Sequence, residues 1–265
     1  MSFPTVRALV LRYLYLYTRT PVRIVELVFW PLVHLLVWGY LTRFLQQNVG
    51  DDFPHEITFL IGAVILWDIL FRAQQGVAIF FLEDVWSRNL LNIFAAPVTN
   101  ADYLGSTYAV GMMRASVTSV MLGGLSVLFY SFNIFQLSWA LIPFVFNLLI
   151  FGWALGMIST ALIVRWGPAA ETLAWAVPFF IQPFAAVYYP VDYLPTVLQW
   201  IAKALPCSYV FEGMRGILTD GVVNWKELGI ATILNFCYLG LAGLLFVRVM
   251  LKGREKGLLT KFASQ

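Results

Sequence analysis

Charge is scarce in this chain. Only 12% of its 265 residues are Asp, Glu, Lys or Arg and 60% are hydrophobic, whereas soluble domains carry about 25% charged and about 45–50% apolar residues. So little charge cannot cover a soluble surface, which excludes an ordinary globular domain and points to a polytopic membrane protein. Cysteine is nearly absent as well. Cys207 and Cys237 are the only two, one expected near the outer surface and one inside a membrane helix, which argues against a disulfide and against a cysteine metal site. Also missing are a G-x-x-x-x-G-K-[ST] phosphate loop, an H-E-x-x-H pair and a G-x-S-x-G elbow. Such a chain does not hydrolyse ATP itself, and any energy drawn from ATP enters through a separate subunit. The formal charge of +3 reflects inward-facing basic residues of a membrane protein, and no nucleic-acid partner is expected.

What is present is a series of long apolar runs. A bilayer is crossed by about 20 apolar residues as a helix, and the runs are far longer than the ~10-residue alternating strands of a barrel, so the expected fold is all-α. Six crossings fit, with no room for a sizeable soluble domain: roughly Val22–Phe44 (tolerating Pro31), Ile57–Leu82, Asn100–Tyr130, Leu137–Val164, Thr172–Tyr189 and Leu228–Leu251. Before them, Val6–Thr18 is too short and too charged to span. Its Leu9, Tyr13, Leu16 and Tyr17 can share one face, the pattern of an amphipathic helix lying along the interface. The alternative, an early start of the first span, is opposed by Pro21. Arg7, Arg12 and Arg19 interrupt the first apolar residues, so no signal peptide is read here and the N-terminus is expected to be retained. A polar loop with Asp51, Asp52 and Glu56 separates spans one and two, and Asn100 is the expected helix cap of span three.

Six crossings place both termini on one side. Arg7, Arg12, Arg19, Arg23, Arg88, Arg114, Arg165 and the run Arg248, Lys252, Arg254, Lys256 and Lys261 gather there. Arg43, Lys203, Arg215 and Lys226 lie opposite, and Arg72 is mid-membrane. The positive-inside bias makes both termini cytoplasmic.

Three features carry chemistry. The cytoplasmic stretch "SRNLLNIFAAPVTNADYLGS", Ser87–Ser106, exposes Leu90, Leu91 and Phe94 on about two helical turns stopped by Pro97. Such a patch is covered either by lipid or by a partner protein. Span two holds Asp68 and Arg72 at i, i+4, where each charge costs at least about 2.5 kcal/mol and normally finds a partner. Gln74 and Gln75 extend that polar face, which reads as an internal ion pair, as a polar patch in a translocation path or as a proton relay centred on Asp68. Glu26 can reach Arg23 or the headgroups, and His34 reads as a packing residue. Phe179, Phe180, Phe184, Tyr188 and Tyr189 are candidates for a path lining, with lipid-facing packing as the alternative. Residues 190–218, with Pro195 and Pro206, fit two short segments that enter the outer leaflet and return, or a surface helix followed by an early span.

The segments "LEDVWSRNLLNIFAAPVTNADYLGS" and "YYPVDYLPTVLQWIAKALPCSYVFEGMRGIL" resemble the first cytoplasmic loop and the C-terminal signature of ABC-2 type (type V) ABC exporter permeases. The likeness follows the whole six-span plan. It implies one transmembrane domain over residues 1–265, an interfacial helix over 1–20, a coupling-helix loop over 84–99 and a re-entrant external pair over 190–218. It further implies that Arg88–Ala96 is the coupling helix, with Leu90, Leu91 and Phe94 docking into an ATPase and Glu83 and Asp84 able to meet its polar surface. The implied partners are two ATP-binding subunits carrying ATP and Mg, a second copy of this chain and membrane lipids, with no cofactor on this chain. The expected setting is the bacterial inner membrane, and the expected cargo an amphipathic molecule such as a lipid-linked glycan, a glycolipid or a hydrophobic small molecule. A proton-coupled secondary transporter using Asp68 is the alternative.

Overall fold

A computed structural model of the chain describes residues 1–49 and 59–255. The expected loop with Asp51, Asp52 and Glu56, the start of span two at Ile57, and Lys256 and Lys261 lie outside the described residues. All regular structure among the described residues is helical: α1 (Phe3–Arg19), α2 (Pro21–Val49), α3 (Phe59–Trp86), α4 (Leu90–Ala95), α5 (Asn100–Tyr130), α6 (Leu141–Trp166), α7 (Leu173–Ile181), α8 (Thr196–Ala204), α9 (Pro206–Asp220) and α10 (Trp225–Glu255), with short 3₁₀ turns between some of them. Five of these helices, α2, α3, α5, α6 and α10, are long and apolar enough to cross a membrane. The chain is an all-α polytopic membrane protein.

Helix α3 is the hub. In its most apolar stretch 94% of residues are buried inside the protein, against 17% for α2 and 22% for α5 and α10, so these three present most of their surface outward while α3 presents almost none. At about 1.5 Å per residue α3 is about 42 Å long, and two apolar cores stack along it. The first gathers Ile61–Ala73 of α3 with residues of α6 and α9. The second gathers Val77–Val85 with residues of α1, α4, α6 and α10, including Val6, Leu90 and Met250. Both ends of the described chain therefore lie at the Trp86 end of the bundle. Between the cores lies a polar level, Gln74–Gly76.

At that level the helices touch backbone to backbone. A Cβ on Gly76 would collide with the Gly111 backbone of α5, and one on Gly152 or Gly156 of α6 would strike the α3 carbonyls of Leu70 or Gln74. Small residues allow such close packing where lipid supplies no hydrophobic drive. Helix α10 is held on α6 by polar contacts as well: Asn235 Nδ2 donates to Asn147 Oδ1 at 2.7 Å and Asn147 Nδ2 to Thr232 Oγ1 at 3.2 Å.

Three expectations are corrected. The fifth apolar run is not one helix from Thr172 to Tyr189. Helix α7 stops at Ile181 and the chain continues in turns to Tyr189, because Pro178 and Pro183 each remove a backbone donor. The segment still travels the length of α3: Glu171 bonds Trp86 at one end, Phe179 meets Phe71 midway, and Val187 lies with Arg215 over Phe59 at the other. Span four begins at Leu141 after a 3₁₀ turn over Ile134–Ala140. Span three is capped by Thr99 and not by Asn100, since Thr99 and Asp102 form a reciprocal capping box that satisfies two orphan donors at once.

Gly76→Ala and Gly156→Ala are expected to lower stability by about 1–3 kcal/mol, the usual cost of overpacking a close contact. Gly124→Ala, with open space around it, is expected to leave stability unchanged or raise it. The recovery of monodisperse protein after graded heating, read by size-exclusion chromatography, checks the ranking.

Candidate functional site

The buried charged and amide side chains of α3 fall into two groups along the helix. The first extends from Asp68 and Arg72, set within the first core, to the polar level at Gln74–Gly76. Arg72 Nε donates to Asp68 Oδ1 at 3.2 Å, and both side chains are under a tenth exposed. Arg72 also donates to Gln75 Oε1 at 3.2 Å, and Arg114 of α5 donates to the same oxygen at 3.3 Å. Arg114 further donates to the Tyr13 hydroxyl at 3.4 Å and lies 5.8 Å over the Tyr17 ring. Tyr13, 2% exposed, is stacked on Phe80, and its burial pushes the phenol well above its ordinary range. Gln74 turns the other way, donating to Ser159 Oγ at 3.2 Å and to the Ala174 carbonyl at 2.9 Å, so it ties α3 to α6 and α7.

Arg114 is the residue missed by counting basic residues by side. Placed with the inward-facing cations, it stands instead in the middle of α5, beside Gln75. The signal was available: it lies fourteen positions after Asn100 within a continuous 31-residue span.

The second group lies at the Trp86 end. Arg12 of α1 pairs with Asp84 at 2.6 Å and Arg23 of α2 with Glu83 at 2.5 Å. Tyr103 of α5 donates to Asp84 Oδ2 at 2.8 Å, and the Ser2 backbone N–H donates to Asp102. The expectation that Glu83 and Asp84 face a partner is therefore corrected: they are 7% and 1% exposed and act as sockets for arginines of this same chain. Arg23 is bound to Glu83 and not directed to Glu26. These contacts latch α1 and α2 onto the end of α3 and the start of α5.

Helix α4 rests on this latch. Leu90 and Ile93 are buried beneath it, and the half-buried Phe94 ring packs 5.4 Å from that of Tyr103. Leu91, 40% exposed, points away from the protein, as do Asn92 and Ala95. The helix is shorter than the sequence suggests, because Arg88 sits in a left-handed turn with φ 52° that delays its start. Leu90, Leu91 and Phe94 thus do not share an outward face: the first and third anchor the knob, and Leu91 is its tip.

The remaining sequence candidates fall on the α2–α7 side and at the far end. Tyr188 stacks on Trp38 of α2 at 4.0 Å and accepts from Gln182 at 3.0 Å. Tyr189 donates to the Pro183 carbonyl. Phe179 and Phe180 are 45% and 73% exposed, and Phe184 packs edge-on to Phe180. Asp68, Arg72, His34, Phe179 and Tyr188 meet around one void of about 20 Å³. At the Phe59 end, α8 and α9 are two separate short helices joined at Leu205, beside a cavity of about 800 Å³ lined by Tyr189, Tyr209, Glu212 and Arg215 among others.

A buried latch, a knob with an apolar tip and a polar level within the membrane helices form one assembly, and residues 4–219 match the ABC-2 type transporter family. The chain belongs to the ABC-2 type transporter family. It is similar to the inner membrane transport permease YadH of Escherichia coli strain K12, of Escherichia coli O157:H7 and of Shigella flexneri, at 19% identity over 187 residues, covering 69% of this chain and 70% of each relative. In this permease the family match runs from α1 through α9, and so contains the latch, the knob and the polar level.

Asp84→Asn and Arg12→Gln are each expected to loosen α1 by about 1–3 kcal/mol, between the values of exposed and buried pairs. The double change should cost less than the sum. The rate of tryptic cleavage within α1 measures the loosening.

Proposed function

We propose that this permease is the membrane subunit of an ATP-driven exporter, in which α4 docks into a separate ATP-binding subunit. The observation that carries this reading is the construction of α4: its inner residues are packed into the protein and its foundation is cross-braced by buried ion pairs, while Leu91 stands outward. A helix needed only to rest on headgroups requires no such foundation. A helix that receives force does, because displacement of the knob has to move α1, α3 and α5 with it. In this reading two copies of the chain pair and each engages one ATPase, which holds the ATP and Mg. Both termini and α4 face the cytoplasm of a bacterium whose inner membrane holds the complex. The relatives are inner membrane transport permeases, which supports that location.

The broken passage over residues 172–189 would make the sixth crossing, with Phe179, Phe180, Phe184, Tyr188 and Tyr189 on a path between the two copies. Its aromatic character suits an amphipathic cargo. A second reading, a proton-coupled transporter centred on Asp68, draws on one observation: Asp68 Oδ2 is buried and without a hydrogen-bond partner.

Co-purification with a co-expressed ATP-binding subunit of the ABC class separates the readings. Leu91→Asp is expected to abolish association while leaving the permease as stable as before, because the side chain already faces outward. Leu90→Asp is expected to lower stability itself, burying a charge at a site 3% exposed. Association and ATPase stimulation that persist in Leu91→Asp would overturn the docking reading. Transport driven by a proton gradient with no ATPase present, and lost in Asp68→Asn, would install the second.

A further inference from the structure

The cavity of about 800 Å³ at the Phe59 end has a lining that is not neutral. It carries four carboxylates, Asp192, Glu212, Asp220 and Glu227, and two cations, Lys203 and Arg215. Glu212 and Arg215 pair at 3.0 Å, and Arg215 is further spent on the Ala186 and Val187 carbonyls. The Lys203 ammonium lies 5.8 Å over the ring of Trp200, which is not part of the lining. Asp192, Asp220 and Glu227 form no ion pair among the described residues. They do not make a metal site either, since no three of the described His, Cys, Asp and Glu side chains are grouped to hold one ion.

The other polar groups of the wall are already occupied. Tyr189 donates to the Pro183 carbonyl, Tyr209 donates to the Lys203 carbonyl at 2.8 Å, and Tyr188 accepts from Gln182. Asn224 Oδ1 accepts the Glu227 N–H at 3.3 Å. What these groups leave to a ligand is ring surface: Tyr189, Tyr193 and Tyr209 line the cavity and stack on no other ring among the described residues. Burial and the charge of Glu227 raise the Tyr209 phenol above its ordinary value, which sets that carboxylate beside one of these rings. Ser208, 2% exposed, lies in the wall as well, and its hydroxyl has no hydrogen-bond partner among the described residues.

We propose that this cavity is a binding site for an organic ammonium ion with an apolar body. The unpaired carboxylates attract the charge, and the tyrosine faces hold both a cation and its apolar frame. The Ser208 hydroxyl accepts a hydrogen bond from an N–H that reaches the depth of the cavity. The volume is that of a pocket for a small organic ligand, far more than an inorganic ion requires. A neutral sugar needs free donors and acceptors, and the tied phenols offer it few. The site stands on its lining alone and holds whether or not the chain exports.

The test is isothermal titration calorimetry of the full chain in neutral detergent. Phenethylammonium is the probe, with 2-phenylethanol and phenylacetate as its neutral and anionic counterparts and calcium as an inorganic cation. Phenethylammonium is expected to bind saturably and at least about tenfold more tightly than either counterpart, the discrimination of one charge-assisted contact. Calcium is expected not to displace it. Rising ionic strength should weaken binding, because carboxylates at an open mouth are screened. Glu227→Gln should weaken it about tenfold. Tyr209→Leu, which removes a ring face, should weaken it about threefold to tenfold, whereas Tyr209→Phe keeps the face and the affinity. Asp220→Asn, at the exposed end of α9, covers the case in which the other variants do not fold and should weaken binding about threefold. Glu26→Gln, which removes the same charge from an exposed site outside the lining, should leave binding unchanged. Absence of saturable binding, equal binding of 2-phenylethanol, or wild-type affinity in both Glu227→Gln and Asp220→Asn overturns the proposal. Displacement of phenethylammonium by calcium overturns the organic ligand in favour of a metal ion.

Discussion

A helix buried on all sides cannot turn its polar groups to water, and that constraint on α3 organises the protein. Asp68, Arg72, Gln74, Gln75, Glu83 and Asp84 all lie on this one helix and all are under a tenth exposed. Asp68 and Arg72 pair with each other within the helix, and the rest take partners from neighbours arranged accordingly: α1 brings Arg12, α2 brings Arg23, α5 brings Tyr103 and Arg114, and α6 brings Ser159. Apolar packing alone would leave the rotation and depth of these helices loosely specified, because a lipid tail is as apolar as a leucine. The polar contacts fix both.

The same contacts decide what moves with what. Breaking one partner of such a pair strands a carboxylate that is itself buried, so the two pairs at the Trp86 end tie α1, the end of α3 and the start of α5 into a single body on which α4 is seated. Along α3 the glycine contacts with α5 and α6 join that body rigidly to the polar level, since backbone packs there directly on backbone.

Much of this plan was legible in the sequence. Apolar run lengths located five of the spanning helices to within a few residues, and Pro21 and Pro97 marked real breaks. The i, i+4 spacing brought Asp68 and Arg72 together because helical geometry leaves them little choice. What spacing does not carry is the direction in which a short helix faces. Leu90, Leu91 and Phe94 looked like one exposed patch, but two of them point inward, because the arginine sockets that seat α4 come from residues more than sixty positions away. Glu83 and Asp84 read as surface acids for the same reason. Arg114 was assigned to a side by tallying charge when its place in the middle of span three was the more informative fact.

The fifth apolar run shows why a break in a membrane helix needs its own compensation. Pro178 and Pro183 end α7, and Ala186 takes a left-handed φ of 52°, which leaves irregular backbone next to the outer core. Such backbone is tolerated at membrane depth where protein covers it and bonds its carbonyls or where it lines a cavity. Arg215, 7% exposed, supplies both: it donates to the Ala186 carbonyl at 2.7 Å and to the Val187 carbonyl at 3.4 Å, and its guanidinium lies over Phe59. Glu212 holds Arg215 at 3.0 Å and accepts the Val191 N–H at 2.7 Å. Helix α9 is thus required in its place by a defect in another passage, and its buried arginine is explained by carbonyls that a continuous helix would have satisfied by itself. Irregular backbone satisfied by side chains from a neighbouring helix can rearrange without the unfolding of a spanning helix, a freedom that a continuous helix at the same place would not have.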